Sequence, residues 1–213
     1  MNPIFGSDSK LMYYLNKVGQ IIILNVYFII GCLPIFTIGT SITAFYYAMI
    51  KAVRRERSYP TTEFWQSYLR NLVNGILFTV SILAAFVLGY LNREYVASQT
   101  TQAAPVLVVI YDILFVLLGL LISFLFPVMS RFSLKRTTLL RMAIEMSIRH
   151  LPYTIALIAG TVFSGMLLLW VLPIPFLLIL PGAWCYISTF LVEPVLKKYM
   201  GKPQEGEDAW YYE

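Results

Sequence analysis

From Leu151 to Val192 the chain carries no Asp, Glu, Lys or Arg. Forty-two uncharged residues (192 − 150) are twice the roughly 20 apolar residues that one membrane-spanning helix needs. The run therefore predicts two spans, turning at Pro173 and Pro175. Pro181-Gly182 is expected to kink or unwind the second near its start. Only 13% of all residues are charged and 59% are hydrophobic. Soluble domains carry about 25% charge. The chain is an integral membrane protein. Its first ten residues are polar and its first apolar run is long, which argues against a cleavable signal.

The rest of the chain divides in the same way. Residues 18–33 form a first span, stopped by Pro34, and 40–53 a second, shorter one. The intervening stretch PIFTIGTSITAFY holds threonines, a proline and a glycine inside an apolar environment. In lipid, a broken helix is tolerated only where its freed backbone groups face protein, water or the interface. The stretch is thus either the turn of a helical hairpin or a re-entrant break lining a site. A third span runs from about Leu72 to Leu91 and a fourth over about 104–130. Two basic stretches separate these elements. In the first, Thr61 or Thr62 caps a helix with Glu63 in its first turn, and Phe64, Trp65, Tyr68 and Leu69 share a face. In the second, Leu139, Leu140, Ala143, Ile144, Ile148 and Leu151 share one, with Glu145 spaced to pair with Arg141 or Arg149. Both read as helices lying on the membrane surface.

The expected fold class is all-α: a polytopic membrane helix bundle of about six transmembrane helices plus two amphipathic cytoplasmic interfacial helices. Residues 1–200 form a single transmembrane domain, and 201–213 a polar acidic cytoplasmic tail. With six spans, fifteen of the sixteen Lys and Arg residues fall on one side, and only Arg93 on the other. The positive-inside rule makes that side, with both termini, cytoplasmic. Each half also reads span, basic helix, span, pairing Arg70-Asn71 with Arg149-His150. Paired repeats occur in transporters, but convergence on interfacial chemistry accounts for the similarity equally simply.

Candidate functional residues are few. Asp112 is an acidic residue inside a predicted span, and buried carboxylates there are functional candidates by default. The alternative puts it near the outer interface, within reach of Arg93. Asn25 suits an interhelical hydrogen bond better than a ligand contact. Thr37, Thr40, Ser41 and Thr43 suit the carbonyls freed around Pro34 and Gly39 better than a pocket lining. Cys32 and Cys185 read as small apolar packers. His150, the only histidine, has no Cys, His or carboxylate cluster beside it, so no metal site is expected. No GxSxG, HExxH, P-loop or spaced carboxylate pair is present, so neither an enzyme nor a cofactor is expected. The basic patches flank spans and match lipid headgroups, not nucleic acid.

Several of these residues form a recognisable pattern. Leu24-Asn25, Leu33-Pro34, Thr37-Ile38-Gly39 and Thr43-Ala44, with Phe64 and Asn71, resemble the YesL family of bacterial membrane proteins, a domain of unknown function. Pro127, Arg131-Phe132 and Arg149-His150-Leu151-Pro152 extend the resemblance through the second half. It implies a Gram-positive plasma-membrane protein whose genes neighbour carbohydrate ABC importers and two-component regulators. It also implies an accessory role in saccharide uptake, with a sugar ABC permease subunit or a sensor kinase as partner. On that reading Phe64, Arg70, Asn71, Arg131, Phe132, Arg149 and His150 are partner or lipid contacts. Asn25, Pro34, Thr37, Gly39, Thr43 and Asp112 are binding or packing positions. The ABC permeases themselves carry an EAA-x3-G coupling loop, whereas RMAIEMSIRHLP lacks the triplet and its glycine. The alternatives are an autonomous transporter or channel with its site at the Pro34–Gly39 break near Asp112, and a signalling component of a sugar-responsive two-component system.

Overall fold

A computed structural model of the chain describes residues 10–99, 101, 103–170 and 174–201, with backbone alone for 174–177. All regular structure among them is helical: α1 Lys10–Cys32, α2 Ile38–Ala48, α3 Pro60–Ala97, α4 Ala104–Arg131, α5 Arg136–Arg149, α6 Leu151–Trp170 and α7 Ile174–Tyr199. The expected helical membrane bundle is formed. Five of these helices (α1, α3, α4, α6 and most of α7) are long and apolar enough to cross a membrane, against the six expected: over the expected second span stands the 11-residue α2. The expected acidic tail lies beyond the described residues except for Gly201, as does Pro173.

The sequence feature at 33–39 produces a tight reversal. Leu33 precedes a proline, which disfavours the helical conformation, so α1 ends at Cys32. Pro34 adopts an extended backbone, a single 3-10 turn follows over Ile35–Thr37, and α2 begins at Ile38. α2 then returns along α1, with Phe28 stacked on Phe45. Lys17 meets Glu56 at the far end, at 3.0 Å. The returning leg closes in a π-helical turn over Met49–Arg54, where the Arg55 N–H donates to the Ile50 carbonyl five residues back. Glu56 ends it in the left-handed region at φ 55°, a conformation usually left to glycine. α2 is the shortest leg and the most enclosed, with Ala44, Ala48, Met49, Ile50 and Val53 all at 0% exposure.

Three local expectations differ from the structure. The first basic stretch is not a separate surface helix: residues 60–71 continue without interruption into the third span as the 38-residue α3. Nothing between Arg70 and Leu72 breaks a helix, and Phe64 and Asn71 are buried against neighbours rather than laid on a surface. The repeat therefore fails structurally, since the matched place in the second half is a true break at His150, between α5 and α6. Thr61 and Thr62 do not cap α3; Tyr59 takes the cap position and Pro60 the first helical one, where a missing N–H costs nothing. Finally, α7 does not unwind at Pro181-Gly182 but runs through both Pro181 and Pro194.

At 1.5 Å per residue α3 is about 57 Å long, nearly twice a hydrocarbon core of about 30 Å. The α1–α2 reversal meets it halfway, at Thr79. Residues 60–79 pack against α2, and the remainder runs on against α4, with Phe86 on Phe115 and Arg93 on Asp112. α5 lies beside the C-terminal half of α4, its Ser147 hydroxyl donating to the Leu120 carbonyl at 2.7 Å. α6 and α7 form an antiparallel pair, joined where the Trp184 indole donates to Thr161 and where His150 meets Tyr199.

Candidate functional site in the polar interior

The reversal at Pro34–Gly39 is stitched by hydroxyls. Thr37 Oγ1 lies 2.7 Å from the carbonyl oxygens of both Gly31 and Pro34, covering groups that α1 leaves open at its end. The Gly39 N–H donates to Thr79 Oγ1 at 2.9 Å, and that hydroxyl donates onward to the Gly75 carbonyl at 2.7 Å. Thr43 Oγ1 donates to the Gly39 carbonyl at 2.8 Å. Backbone approach is close enough to require glycine twice. A Cβ on Gly39 would run into Phe126 and Thr79, and one on Gly75 would meet the Thr40 backbone at 2.8 Å. The threonines thus satisfy backbone groups, as their positions around a proline break suggest.

A second polar layer lies towards the basic end of the bundle. Arg131 on α4 and Glu193 on α7 form an ion pair at 2.6 Å, with side chains 2% and 3% exposed. Tyr46 is buried beside them, 3% exposed, and Cys185 packs between the two halves of the core. Arg54, at the end of the π-helical turn, donates to the Thr189 carbonyl at 3.0 Å and lies 4.1 Å over the Phe190 ring. Lys51 pairs with Glu63 at 2.8 Å, the carboxylate being 7% exposed. The Arg131 and Arg54 contacts tie α4 and the π turn to the distant α7, and Lys51 ties the π turn to the start of α3. Buried charges of this kind need close partners, because desolvation costs several kcal/mol per ion.

The remaining predicted residues are dispersed. Asn25 is fully buried on α1, facing the α7 backbone at Gly182. Asp112 pairs with Arg93 at 2.7 Å and its side chain is half exposed. It lies fourteen residues (126 − 112) before Phe126, which touches Gly39, so about 21 Å of helix separates it from the reversal. The Arg93 contact foreseen for it is present, and Asp112 and the reversal do not form a joint site. Phe64 is fully buried among Tyr27, Trp65 and Tyr68. Asn71 donates to the Ser67 carbonyl at 2.9 Å, and Arg70 stands over the Tyr47 ring at 5.4 Å. Phe132 packs partly buried on the main core. Arg149 pairs with Glu145 at 3.0 Å on the exposed face of α5. His150 sits between Tyr153 and Tyr199; partial burial, with Lys198 and Arg149 nearby, holds it below its ordinary pKa.

The sequence reading did not identify Glu193 or the partnership of Lys51 with Glu63. A signal existed for the first: Glu193 is the lone carboxylate of α7, directly before Pro194, at the close of the charge-free run. An open apolar groove of about 480 Å³ between α3, α4 and α5, lined by Ala85, Phe115, Leu118 and Ile148, faces where lipid would lie. Among the described residues no group of three His, Cys, Asp or Glu side chains is arranged to hold a metal.

Residues 21–93, covering most of α1 through most of α3, match the family model described as a protein of unknown function, DUF624. No curated protein and no solved structure matches the chain.

Proposed function

We propose that this chain is a plasma-membrane accessory component of carbohydrate ABC uptake, serving oligosaccharide import without a catalytic step of its own. The reading rests on the YesL resemblance, whose first-half residues, from Leu24 to Asn71, lie within the family match over 21–93. The residues carrying both are engaged in packing and backbone satisfaction, as suits a subunit that shapes a complex. Lys and Arg enrichment at one end supports cytoplasmic termini, with the short α2 leg returning the chain to the side from which α1 entered. A transporter acting alone is less well supported, because Asp112 and the reversal are apart.

Deleting the gene in its host and measuring uptake of labelled oligosaccharides tests the proposal. It predicts reduced uptake, restored by the wild-type chain. Unchanged uptake of every saccharide the host imports would overturn it. Unchanged uptake combined with lost sugar-dependent induction would point to the sensor-kinase alternative.

A further inference from the structure

Between the first turns of α1 and the segment 52–59 lies a cleft of about 470 Å³ whose walls are unlike the rest of the surface. Elsewhere the helices present Leu, Ile, Val and Phe. Here α1 presents Tyr13, Asn16, Lys17 and Gln20, spaced at intervals of three and four so that all lie on one face. Opposite them stand Glu56, Arg57, Ser58 and Tyr59. Tyr13 donates to Glu56 Oε1 at 2.7 Å, and Lys17 Nζ lies 3.0 Å from the same oxygen. The second carboxylate oxygen takes neither bond.

Three observations indicate a ligand. The Gln20 side chain lines the cleft, and its Oε1, shielded from solvent, has no hydrogen-bond partner among the described residues. Such an acceptor costs stability until something donates to it. Tyr59 carries a large ring that is 81% exposed at the mouth. Glu56 is held in a left-handed conformation that a non-glycine residue resists, and strain of that sort collects at ligand sites.

The chemistry of the walls narrows the class. Aromatic faces pack against the C–H faces of a ring, while an amide oxygen and a carboxylate accept from hydroxyls and an ammonium and an amide N–H₂ donate to them. The volume is within the roughly 300–1,000 Å³ of small-molecule sites. Lys17 is paired with Glu56 and Arg57 has a partner of its own within the chain, and the cleft is too polar for an acyl chain. We infer that this cleft binds a neutral hydroxyl-rich small molecule, a mono- or disaccharide or a related polyol. The site stands on its own geometry and does not depend on the uptake role proposed above.

Saturation-transfer NMR on the full chain, purified in an amine-oxide detergent with no sugar headgroup, tests it. The probes are glucose, galactose, xylose and maltose, each at up to about 10 mM, since an open cleft suits millimolar affinity. At least one probe is expected to bind saturably. Tyr59→Ala, at an exposed position that leaves the fold intact, and Gln20→Ala should each weaken it about tenfold, as loss of an anchor does. Gln20→Glu, which keeps an acceptor, should retain most of it. The inference is overturned if no probe binds, or if binding is unchanged in both Tyr59→Ala and Gln20→Ala. Binding of glucose 6-phosphate or inorganic phosphate alone, abolished by Arg57→Ala and indifferent to Tyr59, would also overturn it, showing a phosphate site instead.

Discussion

The two halves of α3 are built on different principles. From Pro60 to Thr79 the helix is threaded into the protein: Glu63 takes Lys51, Phe64 is sealed by Tyr27 and Trp65, Gly75 admits the Thr40 backbone, and Thr79 receives the Gly39 N–H. From Val80 onward it touches chiefly α4, and Leu83, Phe86, Val87, Leu88 and Leu91 are 43–60% exposed. In water the second half would be unstable. In a bilayer lipid replaces the missing partners, and helices gain nothing from burying leucine against leucine. What holds the first half together is therefore the part of folding that lipid cannot supply: close backbone approach and the satisfaction of polar groups.

The strongest way to break that contrast is at the buried pair beside it. Arg131→Met or Glu193→Gln alone should cost about 3–5 kcal/mol, because each strands a buried partner. The double change Arg131→Met with Glu193→Leu should recover most of the loss. Denaturation in mixed micelles checks both; a double variant as unstable as the singles would show that the pair is not the unit. Next comes the same substitution in each half. Gly75→Ala should cost about 1–3 kcal/mol by pushing into Thr40. Gly89→Ala meets only the Phe115 side chain, at 3.1 Å, and should be felt much less. Equal losses would erase the distinction between the halves.

Thr79→Val keeps shape but leaves the Gly39 N–H without its acceptor, and should cost about 1–2 kcal/mol. Asp112→Asn, on α4 beside the second half of α3, should leave both stability and any ion or sugar flux in liposomes as in the wild type; abolished flux would restore Asp112 as a transport residue. The smallest effect concerns pH. The Tyr13 hydroxyl and Lys17 hold the Glu56 carboxyl below its ordinary value of 4.5. Its contribution is complete above that value and is lost as pH falls through the depressed one. Because Glu56 is half exposed, the drop in melting temperature should be slight, and absent in Glu56→Gln.

The bundle was legible because hydropathy and charge report directly on lipid. A charge-free run must be spans, and Pro34 must end a helix. The fusion of residues 60–71 with the third span was not legible, because the same pattern of Phe64, Trp65 and Tyr68 suits either a membrane surface or a neighbouring helix. The direction of the Thr79 hydroxyl depends on where Gly39 arrives, forty residues away in sequence (79 − 39). Glu193 was visible as a charge, but its burial depends on Arg131, sixty-two residues distant. For Asp112 the sequence left two readings open, and the Arg93 contact named in one of them is present.

The central functional claim is that this chain works within a larger assembly. Affinity purification of the tagged protein from native membranes in mild detergent, followed by mass spectrometry, tests it most directly. The account predicts stoichiometric recovery of a sugar ABC permease or its binding protein. Recovery of the chain alone, across detergents that keep other transporters intact, would contradict it.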